Sequence, residues 1–510
     1  MSANVIVNSG LQRRFKEDAG AARAISMRRG GASLPLGFIG IVVCALIVLQ
    51  YQNVVYLGSF QPIIAGGAVF LSIALWIRYV RQRPFDFLDP IHLVMGILLF
   101  GFCGVLVCDP TVHLTPFAEP EKALTISVLA TLAFALGYTA FNGRPNWSLL
   151  PARFRELSLL RRVPRPEAPL LLLCLWLLTF LFRLFYSFQH GYRGAFTNPD
   201  PADANVADLI GSFGKLGAYF IFSALIIWLS RWRLFNRFEI WLTLACLSLE
   251  VWINIEAGWK YSPVLFVVGL LLIAGARAAC GRPPGLGTGL IAVLCLATFL
   301  LVFHALDTLR SRNMRSGFNI ETLTATIDQT NAGSIEQSQK RLIQRVGYGG
   351  FLADMIGVTD GGILEKQHGA TLWPGLFWFI PRSIWPGKPV LSIGRWYADD
   401  VLNWGTGTSE AAVTVPGDLY LNFGADGVLI GMLGYGLVLR LLYDRLVVNG
   451  HTVVGRCLFV PIFMTFALTL ERNLSAIMGE AGLLVVALTA VLFCMTVRPS
   501  AEPGRRVRPG

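Results

Sequence analysis

Long apolar stretches constrain this chain more than any other feature. "IGIVVCALIVL", "LLLLCLWLLTFLF" and "LIAVLCLATFLLVF" lie at the centres of segments of about 20 residues, the length an α-helix needs to cross a bilayer. In hydrocarbon every backbone N–H and C=O must be paired within the segment or a closed barrel. A barrel would alternate apolar and polar residues over segments of about ten, and no such alternation occurs. Charged residues make up only 15% of the 510, too few to cover a soluble surface of that size. The expected fold class is an all-α polytopic integral membrane protein of about twelve transmembrane helices. The segments run near 34–55, 60–79, 91–108, 123–141, 168–187, 206–230, 238–256, 262–277, 286–306, 416–439, 453–470 and 473–496.

Basic residues orient these spans, because Lys and Arg are retained on the cytoplasmic side. Residues 1–33 form a basic tail with Arg13, Arg14, Lys16, Arg23, Arg28 and Arg29, and alternate connections carry Arg78, Arg81 and Arg83, then the 144–165 cluster, then Arg231, Arg233 and Arg237. The 497–510 tail is basic as well. Both termini are therefore expected in the cytoplasm, and the net charge of +12 is mainly a topology signal. It forms no soluble basic face, so no nucleic-acid partner is expected. Absence of G-x-x-x-x-G-K-[ST] argues against an ATPase. The nine Cys show no C-x-x-C or Cys/His ligand spacing, so neither a metal nor a cofactor is expected. Cys103 and Cys108 read as packed thiols.

Spans 34–306 and 416–496 enclose one long connection, 307–415, placed on the outer side by parity. A connection of this length is usually functional. Its early part, "FNIETLTATIDQTNAGSIEQSQKRLIQRVGYGGFLADMIG", reads as one or two amphipathic helices. "GATLWPGLFWFIPRSIWPGKP" follows, alternating aromatics with Pro and Gly. Trp373, Phe377, Trp378 and Phe379 are too few to span and suit the membrane interface. Arg382 and Lys388 come directly after them. A hydrophobic anchor followed by cations suits an anionic lipid headgroup, including a polyprenyl diphosphate.

The core Pro381, Arg382, Trp385, Pro386, Lys388 and Pro389, followed by "YLNFG" at Tyr420 to Gly424, resembles the Wzy-type O-antigen polymerases of bacteria. The likeness at motif level covers roughly residues 340–445. It implies a GT-C-like enzyme of the bacterial inner membrane with one large periplasmic loop. Such enzymes join undecaprenyl-diphosphate-linked oligosaccharide repeat units into O-antigen, capsule or exopolysaccharide on the periplasmic face. A flippase and a chain-length regulator of the same pathway are the implied protein partners. An O-antigen ligase and a polytopic transporter or flippase are the alternatives.

A departing diphosphate needs charge neutralisation, which Arg and Lys supply. Arg suits it best, because its planar fork binds two oxygens at once. The expected substrate-binding residues are Arg382, Lys388 and Arg395, with Trp385 as anchor and Arg183, Lys260, Arg310 and Arg472 as further cations at helix ends. Such cations are often only interfacial anchors. The acceptor hydroxyl calls for a general base. Glu410, Glu480 and His304 are the leading candidates, with Asp418, His368, Glu250 and Glu256 behind them. Glu480 stands out as an ionisable group inside a span. Asp399 and Asp400 read as solvated or salt-bridged.

Overall fold

The computed structural model describes residues 33–52, 60–82, 86, 88–109, 115–139, 158–190, 204–230, 237–256, 265, 268–270, 272–273, 347–380, 384–385, 387–389, 391–403, 411–448 and 452–497. Helices dominate: α1 (Ser33–Tyr51), α2 (Gln61–Arg81), α3 (Pro90–Cys108), α4 (Pro120–Thr139), α5 (Ala168–His190), α6 (Ala204–Ser230) and α7 (Arg237–Glu256). After them come α8 (Tyr348–Asp360), α9 (Val415–Val448), α10 (Val453–Ala467) and α11 (Leu474–Met495). Among the described residues six helices are long and apolar enough to cross a membrane: α2, α3, α4, the Ala168–Phe185 part of α5, α9 and α11. The expected spans at 262–277 and 286–306 lie largely or wholly outside the described residues.

Local chemistry sets the helix ends. Asp89 caps α3 by accepting from the Ile91 N–H at 3.3 Å, with Pro90 in the first turn, where a missing N–H costs nothing. Thr414 caps α9 through the Gly417 N–H (3.0 Å) and Thr452 caps α10 through the Gly455 N–H (3.1 Å). Arg78 and Arg81 fall in the last turn of α2, where the helix dipole favours cations.

α4 is the hub. Its small-residue sequence "ALTISVLATLAFALGYT" is buried nearly all round, and α1, α2, α8 and α9 pack on it. Small side chains let neighbouring backbones approach closely, which is how helices associate where no water drives them together. α5 turns the opposite character outward: Leu170, Leu171, Leu177, Leu178, Leu181 and Phe182 are exposed apolar residues, suited to lipid.

Two elements depart from the expected plan. The stretch read as amphipathic ends, where it is described, in α8, which is largely buried. Its glycines let it tuck between α3, α4 and α9. Its buried acid, Asp354, accepts from the Thr115 N–H (2.8 Å) and hydroxyl (2.6 Å).

The expected single span 416–439 is broken at Gly424, where φ is +68° and ψ is −153°. That conformation is essentially confined to glycine. The chain folds back there: a Cβ on Gly427 would lie 2.6 Å from the Leu419 carbonyl oxygen. Residues 415–423 therefore form a half-helix lying beside the start of the remaining helix.

We call the end of the bundle carrying residues 347–414 the loop end. α11 starts there, since the Leu474 N–H donates to Asp418 at 2.9 Å. At the opposite end Arg440 donates to the Tyr79 hydroxyl, and Val163–Pro164 (β1) pairs with Thr496–Val497 (β2). The described basic connections around Arg78, Arg162 and Arg440 thus gather at one end, opposite the long connection.

Candidate functional site

At the loop end the aromatic segment docks on α11. Residues 373–377 make a tight turn, and the backbone of Gly375 lies against Ser475, whose hydroxyl accepts from the Gly375 N–H (3.2 Å) and donates to the Leu372 carbonyl (2.9 Å). Two helical turns on, the Trp378 indole lies directly over Gly482, where a Cβ would collide with the ring. Ser475, Gly479 and Gly482 follow helical spacing, so one stripe of α11 is cut back to receive the segment. Leu376, Phe379 and Ile384 point outward at 61%, 61% and 75% exposure. That face has the apolar character expected of an interfacial anchor.

Lys388 holds this segment in shape. Its buried ammonium donates to the backbone carbonyls of Trp378 (2.8 Å) and Ile380 (2.9 Å). These bonds take up two of the three ammonium N–H donors. Trp385 stacks within the same cluster, its ring centroid 5.8 Å from Trp373 and 6.2 Å from Phe377.

Beside the docking stripe, α11 turns Glu480 toward two cations. Lys215 of α6 reaches Glu480 Oε2 at 2.8 Å, and Arg472 contacts the same oxygen. Nothing among the described residues donates to Oε1. Glu480 lies six residues into α11, roughly 9 Å along its axis. The triad thus sits in the first turns of a membrane helix, carries a net charge of +1 and is partly exposed: the Lys215 and Arg472 side chains by about a third, Glu480 by 16%. Lys215 was missed in the sequence, although it carries the same signal as Glu480, a lone charge in an apolar run.

Asp418 ties these parts together. One carboxylate oxygen accepts from Thr371 (2.5 Å) and Asn422 (3.2 Å), the other from the Leu474 N–H (2.9 Å). Asn422 also accepts from the Gly369 N–H at 2.7 Å. The half-helix, the long connection and the start of α11 are therefore pinned as one unit, and both Asp418 oxygens are occupied in doing so.

The remaining candidates disperse. Arg183 is buried between α5 and α7, paired with Glu250 at 2.5 Å, while Trp176 (2.9 Å) and Asn254 (3.1 Å) donate to the same carboxylate. This is a closed internal ion pair. Arg395 and Asp400 are exposed, and Asp399 is half-buried. His368 is exposed, in a left-handed turn with φ 46°. Cys103 and Cys108 are separate free thiols. Arg382, Glu410, His304, Lys260 and Arg310 lie outside the described residues.

A family model described as a domain of unknown function (DUF8712) matches residues 291–471. The matched stretch takes in the aromatic segment and the broken helix and ends one residue before Arg472. No curated protein and no solved structure matches the chain.

Proposed function

We propose that the chain is a glycosyltransferase of the Wzy type. In this reading it polymerises undecaprenyl-diphosphate-linked oligosaccharide units on the periplasmic face of the bacterial inner membrane. The observation that carries the reading is the Lys215–Glu480–Arg472 triad, a cationic excess in the first turns of a membrane helix, beside a docked segment with an apolar outer face. A polyprenyl diphosphate has the matching form: an anionic headgroup fixed at the membrane edge by an apolar tail.

In the reaction the acceptor hydroxyl oxygen attacks the anomeric carbon of the donor glycan. The bond from that carbon to the diphosphate oxygen breaks, and undecaprenyl diphosphate leaves with the electron pair. Lys215 and Arg472 stabilise the charge that develops on it. The hydroxyl proton passes to a carboxylate, and Glu480 Oε1 is the oxygen best placed beside the cations.

A transporter of lipid-linked oligosaccharide is the second reading, favoured by the broken helix α9. Transporters place such breaks near the bilayer midplane. α9 has 34 residues, roughly 50 Å if straight and well beyond a bilayer core of about 30 Å. Its break comes after nine residues, at the loop end, and a full span remains beyond it. This placement weighs toward the enzyme.

The test is elongation of defined lipid-linked repeat units by the purified protein. The wild-type chain should give a ladder, and a Lys215→Met, Arg472→Ala double variant should give single units only. Near-normal ladders from that variant, stably inserted, overturn the assignment. In a deletion strain, single units on the acceptor indicate a polymerase, polymer left on the lipid carrier a ligase, and units held on the inner face a flippase.

A further inference from the structure

A second polar patch lies at the loop end, where α1, α8 and both halves of α9 meet. The Tyr51 and Tyr420 hydroxyls each donate to Asp360, one per carboxylate oxygen and both at 2.8 Å, and the two hydroxyls touch. The rings meet edge to face, 5.9 Å between centroids. Next along the chain, Gln52 donates to Asp426 Oδ2 at 2.6 Å. α1 thus ends in a clasp: Tyr51 holds the half-helix before Gly424 and Gln52 holds the helix after it.

One side of the clasp is open to solvent: Tyr420 is buried and Tyr51 half-buried, while Asp360 is exposed. Gln52 and Asp426 are exposed, and Phe423, at the fold-back, shows 46% of its surface. Planar carboxylate, amide and phenol groups beside an exposed ring hold a pyranose in a familiar way. A carboxylate or amide spans two neighbouring ring hydroxyls, and an aromatic face covers the apolar C–H side of the sugar.

Charge discriminates among ligands. Asp360, Asp426 and Glu119 face Lys122, which lies 3.4 Å from Asp360, and Lys366, near Gly424. The balance is −1, against +1 at the triad. An anionic headgroup is disfavoured here, and an uncharged polyhydroxyl ligand is not.

We infer that the Tyr51–Gln52–Asp360–Asp426 patch is a saccharide-binding subsite. It rests on the polymerase reading only for the carrier of the sugar, which would be the acceptor unit. The half-helix links the two places: Tyr420 belongs to the patch, and Asp418, two residues earlier, is bonded to the start of α11 next to the triad.

The test is saturation-transfer NMR on the full-length protein in nanodiscs. The probes are the methyl glycopyranosides of glucose, galactose, mannose and N-acetylglucosamine. Transfer to at least one glycoside is expected. Gln52→Ala and Asp360→Asn should each weaken it about tenfold, as loss of a charge-assisted hydrogen bond does. Arg472→Ala should leave it intact. Gln52 is exposed, so its variant stays informative if Asp360→Asn melts early.

No transfer, transfer untouched by both patch variants, or equal loss in Arg472→Ala overturns the subsite. So does displacement by inorganic diphosphate, which would make the patch an anion site. Intact glycoside binding together with failed elongation in the polymerase assay separates the two: the enzyme reading falls and the subsite stands.

Discussion

The Lys388 ammonium lies 2.8 Å from the backbone carbonyl of Trp378, ten residues earlier, inside the connection it was expected to serve as a ligand. The bond closes the aromatic segment on itself. Lys388→Ala removes two charge-assisted hydrogen bonds, worth about 1.5–3 kcal/mol each. Amides 373–380 should then exchange with solvent at least about tenfold faster, as local opening becomes cheaper. Hydrogen-exchange mass spectrometry reads this. A direct role in diphosphate binding alone would leave exchange unchanged and raise only KM for the donor.

Gly424 can be tested through its backbone. A Cβ there finds room, its nearest neighbour being Lys366 Nζ at 3.4 Å, so any cost comes from the φ of +68° and ψ of −153°. Gly424→Ala should destabilise the protein by about 1–3 kcal/mol. The drop in melting temperature in detergent measures it. Elongation should fall too, because the half-helix carries both Asp418 and Tyr420.

The Arg183–Glu250 pair is closed and buried. Breaking it from one side leaves an uncompensated charge, at a cost of about 3–5 kcal/mol. Arg183→Met should therefore accumulate poorly. The double variant Arg183→Met, Glu250→Gln should recover more than half of the loss and should elongate lipid-linked units. Recovery of folding without recovery of activity would instead make Arg183 a substrate ligand.

Asp89 should make stability depend on pH. Burial pushes its carboxyl up to about 6, partly countered by hydrogen bonds from Tyr138 (2.6 Å), Tyr79 (2.7 Å) and the Ile91 N–H. Folding therefore favours the protonated form. The stabilisation is complete below the ordinary value of 3.8 and is lost as pH rises through about 6. Melting temperature should therefore fall as pH rises from about 4 to about 6 and level off above that. Asp89→Asn, which cannot ionise, should flatten the dependence.

The chain alone determined its membrane class and most of its helices, because the bilayer leaves a long apolar run one way to pair its backbone. It also marked Glu480 as unusual, since charge inside a span is costly wherever it occurs, and singled out Arg183 and Arg472 as cations at helix ends. Sequence could not say which charges meet. Lys215 and Glu480 are 265 residues apart, and only the packing of α6 against α11 makes them a pair. The same limit hid the pairing of Arg183 with Glu250 and of Lys388 with the carbonyls of Trp378 and Ile380. The break in α9 was masked because hydropathy is blind to one backbone angle. Gly424 looks like any glycine in an apolar run until its φ is known, and that φ is set by the tertiary contacts that hold the half-helix down.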